Sequence, residues 1–178
     1  MPTAGPLRPY RGKTPKIADD AFVADNAIIT GDVEIGGGSS IWFGVVIRGD
    51  SAPIRIGERT NIQDHTVIHA DADAPTTIGD DVTVGHRAIV HGTTVGDGAQ
   101  VSMGAIVLSR SVIEEGAIVG AGALVPEGMV VPANTIVMGV PAKPRREVTD
   151  DDRRRTQATA THYVQRGKDY AEELRNLP

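Results

Sequence analysis

Branched apolar residues recur along this chain at intervals of six positions. The interval holds over residues 23–47, 56–68 and 78–90, and then without interruption over residues 95–137. Each six-residue unit, or hexad, begins with Ile or Val, and in most hexads a small or branched residue follows four positions later. A helix would repeat its apolar face about every 3.6 residues, and a half-buried strand roughly every two. The interval of six therefore indicates short straight segments joined by regular corners.

Three such segments close a triangular coil in which the leading residue points inward, and stacked coils form a parallel β-helix. At three hexads per coil, the repeats predict an all-β solenoid of about six coils. The alternative, a sandwich of short strands, would place turn signals at irregular intervals of roughly 8–12 residues. The regular hexads favour the β-helix.

The pattern changes after Val137. The segment "GVPAKPRREV" reads as an extended exit, and "TDDDRRRTQATATHYVQRGKDYAEELRNLP" predicts a helix from about Asp150. Thr149 is a suitable N-cap, and three acidic residues favour the positive end of the helix dipole. Gly167 weakens the helix locally. We expect residues 1–148 to form the β-helix, with the segment before Val23 covering the first coil, and residues 149–178 to pack on it as a helix.

Composition narrows the function classes. The chain has 178 residues, no cysteine and a net charge of −5, with a pI near 5.5. Disulfides and thiolate metal sites are excluded, and the acidic balance argues against nucleic-acid and anionic-membrane partners. The N-terminus lacks the apolar region of a signal peptide, and no apolar run has membrane-spanning length. A soluble, cytoplasmic protein is expected.

The six-residue interval breaks at three places. "RGDSAP" adds three residues between Ile47 and Ile56, and "HADADAP" adds four between Ile68 and Ile78. A third break, after Val90, leaves the interval one residue short. Insertions in a solenoid project as loops on one face, which is often the binding face. Every histidine except His162 lies within or between these breaks.

Counting three hexads per coil assigns the histidines to columns, meaning sets of residues at equivalent positions of successive coils. Arg48, His69 and His91 fall in one column, with neighbours about 4.8 Å apart. Asp64 and His86 fall in a second column, on another face. An isolated histidine is most often a solvated or hydrogen-bonded side chain. Two stacked imidazoles, however, can share one tetrahedral metal with bonds of about 2.0–2.1 Å.

His86 is poorly placed to join His69 and His91 of its own chain. The five residues from His86 to His91 span up to roughly 16 Å of extended chain. His86 could instead reach the metal held by a neighbouring chain. The count therefore predicts a three-histidine metal site shared between subunits, most simply in a homotrimer with three equivalent sites.

Four stretches of the sequence resemble the γ-class carbonic anhydrase family. They are "ITGDVEIGGGSSIWFGVVIRGD", "IGERTNIQDHTVIH", "IGDDVTVGHRAIVHGTTVGDGAQVSMGAIV" and "VMGVPAKPRR". The resemblance implies a left-handed β-helix trimer with a C-terminal helix. It also implies that His69 and His91 of one subunit and His86 of the next hold zinc, with Fe2+ or Co2+ possible.

The resemblance extends to other candidate site residues. Arg48 and Asp50 of "RGD" match a pair that bridges subunits, for which a purely structural salt bridge is the alternative. Gln63 and Asp64 of "NIQD" match the pair that orients the metal-bound water, for which a satisfied turn is the alternative. Asn61 beside them is a candidate for positioning carbon dioxide.

Tyr163 in "THYV" resembles a helix tyrosine that reaches towards the site. The chain also departs from the best-studied pattern of the family. Ser51 replaces an acidic residue, and the loop after His69 is short, with Asp71 and Asp73 as its only carboxylates. His65 could relay protons, because the unperturbed pKa of histidine is near 6.5, or could simply be a solvated ring. These departures resemble a shorter subclass that includes weak or inactive hydratases.

The leading functional interpretation is reversible hydration of carbon dioxide to bicarbonate by a metal-dependent lyase. Three alternatives remain: metal-dependent hydrolysis of an acyl thioester, acyl transfer from coenzyme A, and a weakly active or inactive trimeric scaffold. "GVPAKP" also closes the hexapeptide acyltransferases, but those use a single histidine as general base. Clustered histidines would be superfluous there.

Overall fold

The computed structural model describes residues 6–175, which form twenty strands and one helix. The strands are β1 Leu7–Arg8, β2 Lys16–Ile17, β3 Phe22–Val23, β4 Ile28–Ile35, β5 Ser40–Ile41, β6 Val46–Ile56, β7 Asn61–Ile62, β8 Val67–His69, β9 Thr76–Ile78, β10 Thr83–Val84, β11 Ile89–His91, β12 Thr94–Val95, β13 Gln100–Val101, β14 Ile106–Val107, β15 Val112–Ile113, β16 Ile118–Val119, β17 Leu124–Val125, β18 Val130–Val131, β19 Thr135–Met138 and β20 Lys143–Glu147. The helix, α1, spans Asp150–Arg175. The two long strands, β4 and β6, each continue from one face of the coil onto the next.

The strands stack into a parallel β-helix. On one face the order is β3-β5-β7-β10-β13-β16-β19, and the antiparallel strand β20 closes it. The remaining strands pair in parallel on the two other faces. One face carries β8, β11, β14 and β17, and the other carries β9, β12, β15 and β18. The long strands β4 and β6 run across both faces and connect them. The predicted all-β solenoid is confirmed.

The solenoid has about seven turns, whereas the hexads predict about six. The additional turn comes from the N-terminal segment. Strand β1 pairs in parallel with Ile29–Thr30, and β2 pairs with Glu34–Ile35, both within β4. Strand β1 is exposed and has no residue in the six-residue interval, whereas Ile17 of β2 is half-buried against the core and lies six positions before Val23, so the interval extends one hexad further towards the N-terminus than the hexads counted. The segment expected to cover the first coil is itself part of the parallel stack.

The leading residues of the hexads fill the core. Nearly all are inaccessible to solvent, and the exception is Val23, which is half-buried in the first hexad. The small or branched residues four positions later are buried as well, among them Ala88, Ala105 and Ala123. Each fully buried Ile or Val contributes about 1.5–3 kcal/mol relative to exposure. The core therefore depends on many medium-sized side chains rather than on aromatic rings.

Helix α1 begins where the sequence predicts, and the end of the predicted helical segment, residues 176–178, lies outside the described residues. The backbone N–H of Asp152 donates to Thr149 Oγ1 over 3.2 Å, and the Thr149 N–H donates to Asp152 Oδ2 over 2.9 Å. This reciprocal pair is a capping box. Hydrogen bonds from Arg146 and Thr149 lower the pKa of Asp152 well below its usual range. The cap ties the helix start to strand β20, which carries Arg146.

The helix packs on the face formed by β3, β5, β7 and β10. Phe22 and Trp42 of the β-helix contact Tyr163 and Tyr170 of the helix, with ring centroids 5.1–6.0 Å apart. Gly167 faces the same surface, where an added Cβ would lie 3.2 Å from Phe22 Cβ. The glycine that weakens the helix therefore permits its close approach to the sheet. Within residues 6–175, no helix has both the length and the apolar character needed to cross a membrane.

The stacked core yields a stability prediction. Ile62 is fully buried and lies between Ile41 and Val84 of the adjacent coils. Ile62→Ala should lower the free energy of unfolding by about 2–5 kcal/mol, because it removes buried methyl groups and leaves a cavity. Val130→Ala, at a position that is 52% exposed, should change it by at most about 0.5 kcal/mol. Urea denaturation of both variants measures the difference, and equal losses would contradict the assigned inward direction.

Candidate functional site

One column of polar residues crosses strands β6, β8 and β11. The strand register pairs Arg48 with His69, and His69 with His91. Each of these residues directly follows a buried leading residue, so its side chain points outward on the pleated strand. The column has the register that the hexad count predicts. It lies beside the segments in which the six-residue interval is broken.

The two histidines of this column turn their rings towards each other. Nδ1 of His69 lies 3.0 Å from Nε2 of His91, and the ring centroids are 4.9 Å apart. Both side chains are largely shielded from solvent, with exposed fractions of 16% and 28%. The nitrogens that face each other are therefore held in one place by the spacing of the strands.

Asp50 fixes the orientation of His69. Its Oδ1 lies 3.0 Å from His69 Nε2, and its Oδ2 accepts a 2.5 Å hydrogen bond from Arg48. Burial alone would raise the pKa of Asp50, but the hydrogen bonds from Arg48 and His69 outweigh it and lower the pKa to about 2. Because an ionised carboxylate only accepts hydrogen bonds, His69 carries its hydrogen on Nε2. Its Nδ1 lone pair is then directed at His91.

The predicted subunit-bridging pair is thus engaged within its own chain. Arg48 and Asp50 contact each other and His69, so their first role is to hold that ring. A bridge from Arg48 to another subunit stays a prediction. Ser51 stands where the family pattern has an acidic residue. Its hydroxyl oxygen lies 3.5 Å from Asp50 Oδ1.

His86 lies on a different part of the coil. It occupies the corner between β10 and β11, where its Nδ1 lies 2.8 Å from Asp64 Oδ2, and 45% of its side chain is exposed. Among residues 6–175, no set of three or more His, Asp or Glu side chains is arranged to hold a metal ion. A single chain therefore brings His69 and His91 together and leaves His86 apart from them.

Gln63 and Asn61 form a buried amide pair on strand β7 and the corner after it. Gln63 Nε2 donates to Asn61 Oδ1 over 3.0 Å, and Asn61 Nδ2 donates to Thr83 Oγ1 over 2.9 Å. Asn61 is only 1% exposed. Its side-chain oxygen and nitrogen are both engaged inside the chain, so in this arrangement it holds Gln63 in place. Contact between Asn61 and carbon dioxide stays a prediction.

The helix places Tyr163 beside the corner that carries Asp64. Tyr163 packs edge-on against Trp42, with ring centroids 5.3 Å apart. Burial raises the pKa of Tyr163, and the nearby Asp64 carboxylate raises it further. The phenol of Tyr163 therefore lies near the Asp64 and His86 column.

His65 and the two carboxylates of the loop after His69, Asp71 and Asp73, occupy separate positions. His65 is exposed at a corner with a φ of +60°, and its ring lies over Gly44. Asp73 is exposed and forms a 2.8 Å ion pair with Arg110. Asp71 is half-exposed and lies on the side of His91, 3.7 Å from its Nδ1. The sequence did not single out Ser109, whose Oγ lies 3.0 Å from the same nitrogen.

An apolar stripe runs alongside the histidine column. Its members precede the buried leading residues on strands β4, β6, β8, β11, β14 and β17, and their side chains point outward: Ile28, Val46, Val67, Ile89, Ile106 and Leu124. Val67 and Ile89, which lie two residues before His69 and His91, are 39% and 37% exposed. Contiguous exposed apolar patches mark sites of protein association.

Comparison with known proteins places this geometry in a family. Residues 14–49 match the model of the bacterial transferase hexapeptide (six repeats), and residues 75–109 match the hexapeptide repeat of succinyl-transferase. The chain is 51% identical to the carbonic anhydrase of Geobacillus kaustophilus (strain HTA426), over 92% of this chain and 90% of that protein. It is also 51% identical to the mitochondrial gamma carbonic anhydrase 3 of Arabidopsis thaliana, over 93% of this chain and 67% of that protein. The chain belongs to the γ-class carbonic anhydrase family.

Other similar proteins carry transferase names. The chain is 57% identical to the uncharacterized transferase YtoA of Bacillus subtilis (strain 168), over 92% of this chain and 96% of that protein. A hexapeptide transferase family protein from Anaplasma phagocytophilum has a crystal structure that superposes with a TM-score of 0.89. The two are 44% identical, over 92% of this chain and 97% of that one. Membership of the γ-class family therefore does not by itself assign one reaction.

The γ-class family implies a metal cofactor, and the two facing imidazoles fit one. Tetrahedral nitrogen ligands with bonds of ~2.0–2.1 Å lie about 3.3 Å apart. His69 Nδ1 and His91 Nε2 lie 3.0 Å apart, so the two rings would have to separate by only a few tenths of an ångström to bind one metal. Neutral imidazole nitrogens are also ligands that Zn2+, Fe2+ and Co2+ accept.

The amide pair gives a prediction. Asn61→Ala leaves the buried Gln63 amide without its acceptor and Thr83 without a donor, so the free energy of unfolding should fall by about 1–3 kcal/mol. Gln100 occupies the same column two coils further on but is only half-buried, and Gln100→Ala should cost less. Urea denaturation of the two variants provides the measurement. Equal stabilities of Asn61→Ala and the parent would show that the amide pair does not hold Gln63.

Proposed function

We propose that this protein hydrates carbon dioxide reversibly at metal sites shared between the subunits of a homotrimer. Each site would combine His69 and His91 of one chain with His86 of the next. The observation that carries the proposal is the pair of facing imidazole nitrogens, 3.0 Å apart and largely shielded from solvent. The identities of about 50% with named carbonic anhydrases support the same reaction.

Sharing of the site follows from the position of His86. His86 lies at the corner that precedes strand β11, and His91 lies at the far end of that strand. A second copy that contacts the apolar stripe would bring its own corner residues towards the column of His69 and His91. A cyclic arrangement of three chains makes every such contact equivalent. The apolar stripe supplies the hydrophobic contact that such an interface needs.

The metal would be held by the three imidazoles, and zinc, Fe2+ or Co2+ all suit this donor set. When bound, it would act as a Lewis acid and would lower the pKa of a coordinating water towards neutrality, an effect for which carbonic anhydrase is the standard example. Three neutral imidazoles leave the charge of the metal uncompensated, which favours this lowering.

The side chains of this protein supply orientation. Asp50 holds the Nε2–H of His69, so that ring keeps Nδ1 free as a ligand, and the Asp64 carboxylate lies 2.8 Å from Nδ1 of His86, which leaves Nε2 of His86 as the nitrogen free for a metal. Gln63, held by Asn61, is the candidate for orienting the attacking water together with Asp64. Tyr163 lies beside Asp64, and burial raises its pKa. The exposed corner at His65 is a candidate exit for protons.

Acyl transfer from coenzyme A is the second candidate, because a relative of 57% identity carries a transferase name. Such a reaction needs one histidine as general base. It gives no role to a pair of imidazoles that face each other and whose outer nitrogens are engaged. Hydrolysis of an acyl thioester at the metal, or a scaffold role, would retain the metal site without carbon dioxide hydration.

Metal loading and carbon dioxide hydration test the proposal together. The purified protein, with its metal quantified and loaded separately with zinc and iron, should hydrate carbon dioxide in stopped-flow measurements. His86→Ala should lose both metal and rate, because it removes a third of the ligands. His65→Ala is the matched control on the equivalent part of the preceding coil and should keep its metal. Full metal retention by His86→Ala would refute the site, and a loaded enzyme without a rate would refute the reaction.

Mixed trimers test the sharing of ligands. His86→Ala chains keep His69 and His91, whereas His69→Ala chains keep His86, so neither variant alone forms a complete site. Co-refolding equal amounts should restore about a quarter of the sites, if chains combine randomly in a cyclic trimer. Metal analysis of verified mixed trimers measures the recovery. Recovery of no metal would contradict sites formed between chains.

A further inference from the structure

We propose that Ser109 and Asp71 are positioning residues for the metal ligand His91, and that they aim its Nε2 lone pair at the metal. The inference rests on the metal site of the proposed function. It concerns two residues that lie outside the three-histidine set and outside the Gln63–Asp64 pair. Three observations carry it: the direction of two hydrogen bonds, the burial of Ser109, and the way in which two irregular segments meet.

The hydroxyl of Ser109 links the ring of His91 to a carboxylate. Ser109 Oγ lies 2.7 Å from Asp71 Oδ2 and 3.0 Å from His91 Nδ1. A serine hydroxyl has one hydrogen to donate. The carboxylate of Asp71 takes that hydrogen, so towards His91 the same oxygen acts as an acceptor. The only partner that satisfies this arrangement is an N–H on His91 Nδ1.

The consequence is a fixed tautomer. With its hydrogen on Nδ1, a neutral His91 presents a lone pair on Nε2. On the other side, Asp50 holds the hydrogen of His69 on Nε2 and directs the Nδ1 lone pair at the same point. The two lone pairs converge across 3.0 Å, as two ligands of one metal do. Both rings are therefore oriented from behind by a carboxylate, directly for His69 and through Ser109 for His91.

Ser109 is shielded so that water does not replace it easily. The residue is 3% exposed. Gly92, the residue after His91, has a φ of +55°, and an added Cβ there would lie 2.8 Å from Ser109 Oγ. The absence of a side chain at Gly92 leaves the space through which the hydroxyl reaches the imidazole.

The breaks in the six-residue interval explain how these residues meet. The interval from Val90 to Val95 is one residue shorter than the other intervals, and Gly92 and Thr93 form the corner within it. The four added residues after Ile68 form a loop that Asp71 and Ala74 close through a backbone hydrogen bond of 3.0 Å. Thr76 fastens the end of this loop, since its hydroxyl donates to the His69 carbonyl and accepts from the Gly92 N–H. The loop thereby delivers Asp71 to Ser109, which lies 38 residues further along the chain.

Zinc affinity of the assembled protein tests the proposal. Ser109→Ala removes the acceptor for His91, and Asp71→Ala frees the Ser109 hydrogen to turn towards His91. Both variants should bind zinc about 10–100-fold more weakly than the parent in a series of zinc buffers. Asp73→Ala is the matched control, because it removes a carboxylate from the same loop that pairs only with the exposed Arg110. Its zinc affinity should equal that of the parent.

A second measurement separates positioning from general loosening. In the Co2+-loaded protein, paramagnetically shifted proton NMR detects the ring N–H hydrogens of the ligands, and their exchange with solvent can be timed. Ser109→Ala should accelerate the exchange of one ring N–H, that of His91. The ring N–H of His69, which Asp50 holds, should exchange as in the parent.

The outcomes distinguish this inference from the proposed function. Parent-like zinc affinity in either Ser109→Ala or Asp71→Ala would overturn the positioning role while leaving the three-histidine site intact. An equal loss in Asp73→Ala, or unchanged N–H exchange in Ser109→Ala, would also overturn it. Metal that persists in His86→Ala refutes the shared site instead. A parent protein that binds neither zinc nor cobalt would overturn both.

Discussion

The spacing between parallel strands is the constraint on which the rest of this structure depends. Hydrogen-bonded strands lie about 4.8 Å apart, and the hexads keep that spacing from one coil to the next. Inside the coil the spacing brings branched side chains such as Ile41, Ile62 and Val84 into direct contact. Outside the coil it brings two imidazoles to within 3.0 Å of each other. The same ladder therefore builds the core and sets the width of the candidate metal site.

Rigid spacing alone does not make a ligand pair, because each ring must also present the correct nitrogen. The structure meets this need with acceptors placed behind the rings. Asp50 accepts from His69, and the Asp64 carboxylate lies 2.8 Å from Nδ1 of His86. Buried and half-buried polar groups of this kind are costly unless their partners are complete. Among the described residues, no buried side-chain nitrogen or oxygen lacks a hydrogen-bond partner, so the polar columns cost little stability.

Similar proteins carry both transferase and carbonic anhydrase names, because the fold itself does not determine the reaction. The β-helix is a stacked scaffold, and function lies in the side chains grafted on its outer faces. In this chain the three candidate metal ligands lie on the few coils where the six-residue interval is interrupted. The uninterrupted coils from Val95 onwards carry the repeat but none of the candidate ligands. Loss or addition of one imidazole on this scaffold would change the chemistry without disturbing the core.

The sequence alone determined the solenoid, its inward-facing residues, the start of the helix at Asp150 and the shared column of Arg48, His69 and His91. These features follow from a fixed period, which converts position along the chain into position on the coil. The tertiary structure alone decided the features that the six-residue interval does not specify. It showed that the short strands β1 and β2 add a turn, and that Asn61 is engaged with Gln63. It also brought Asp71 to Ser109, because a non-periodic loop and a shortened corner meet only after the coils have stacked.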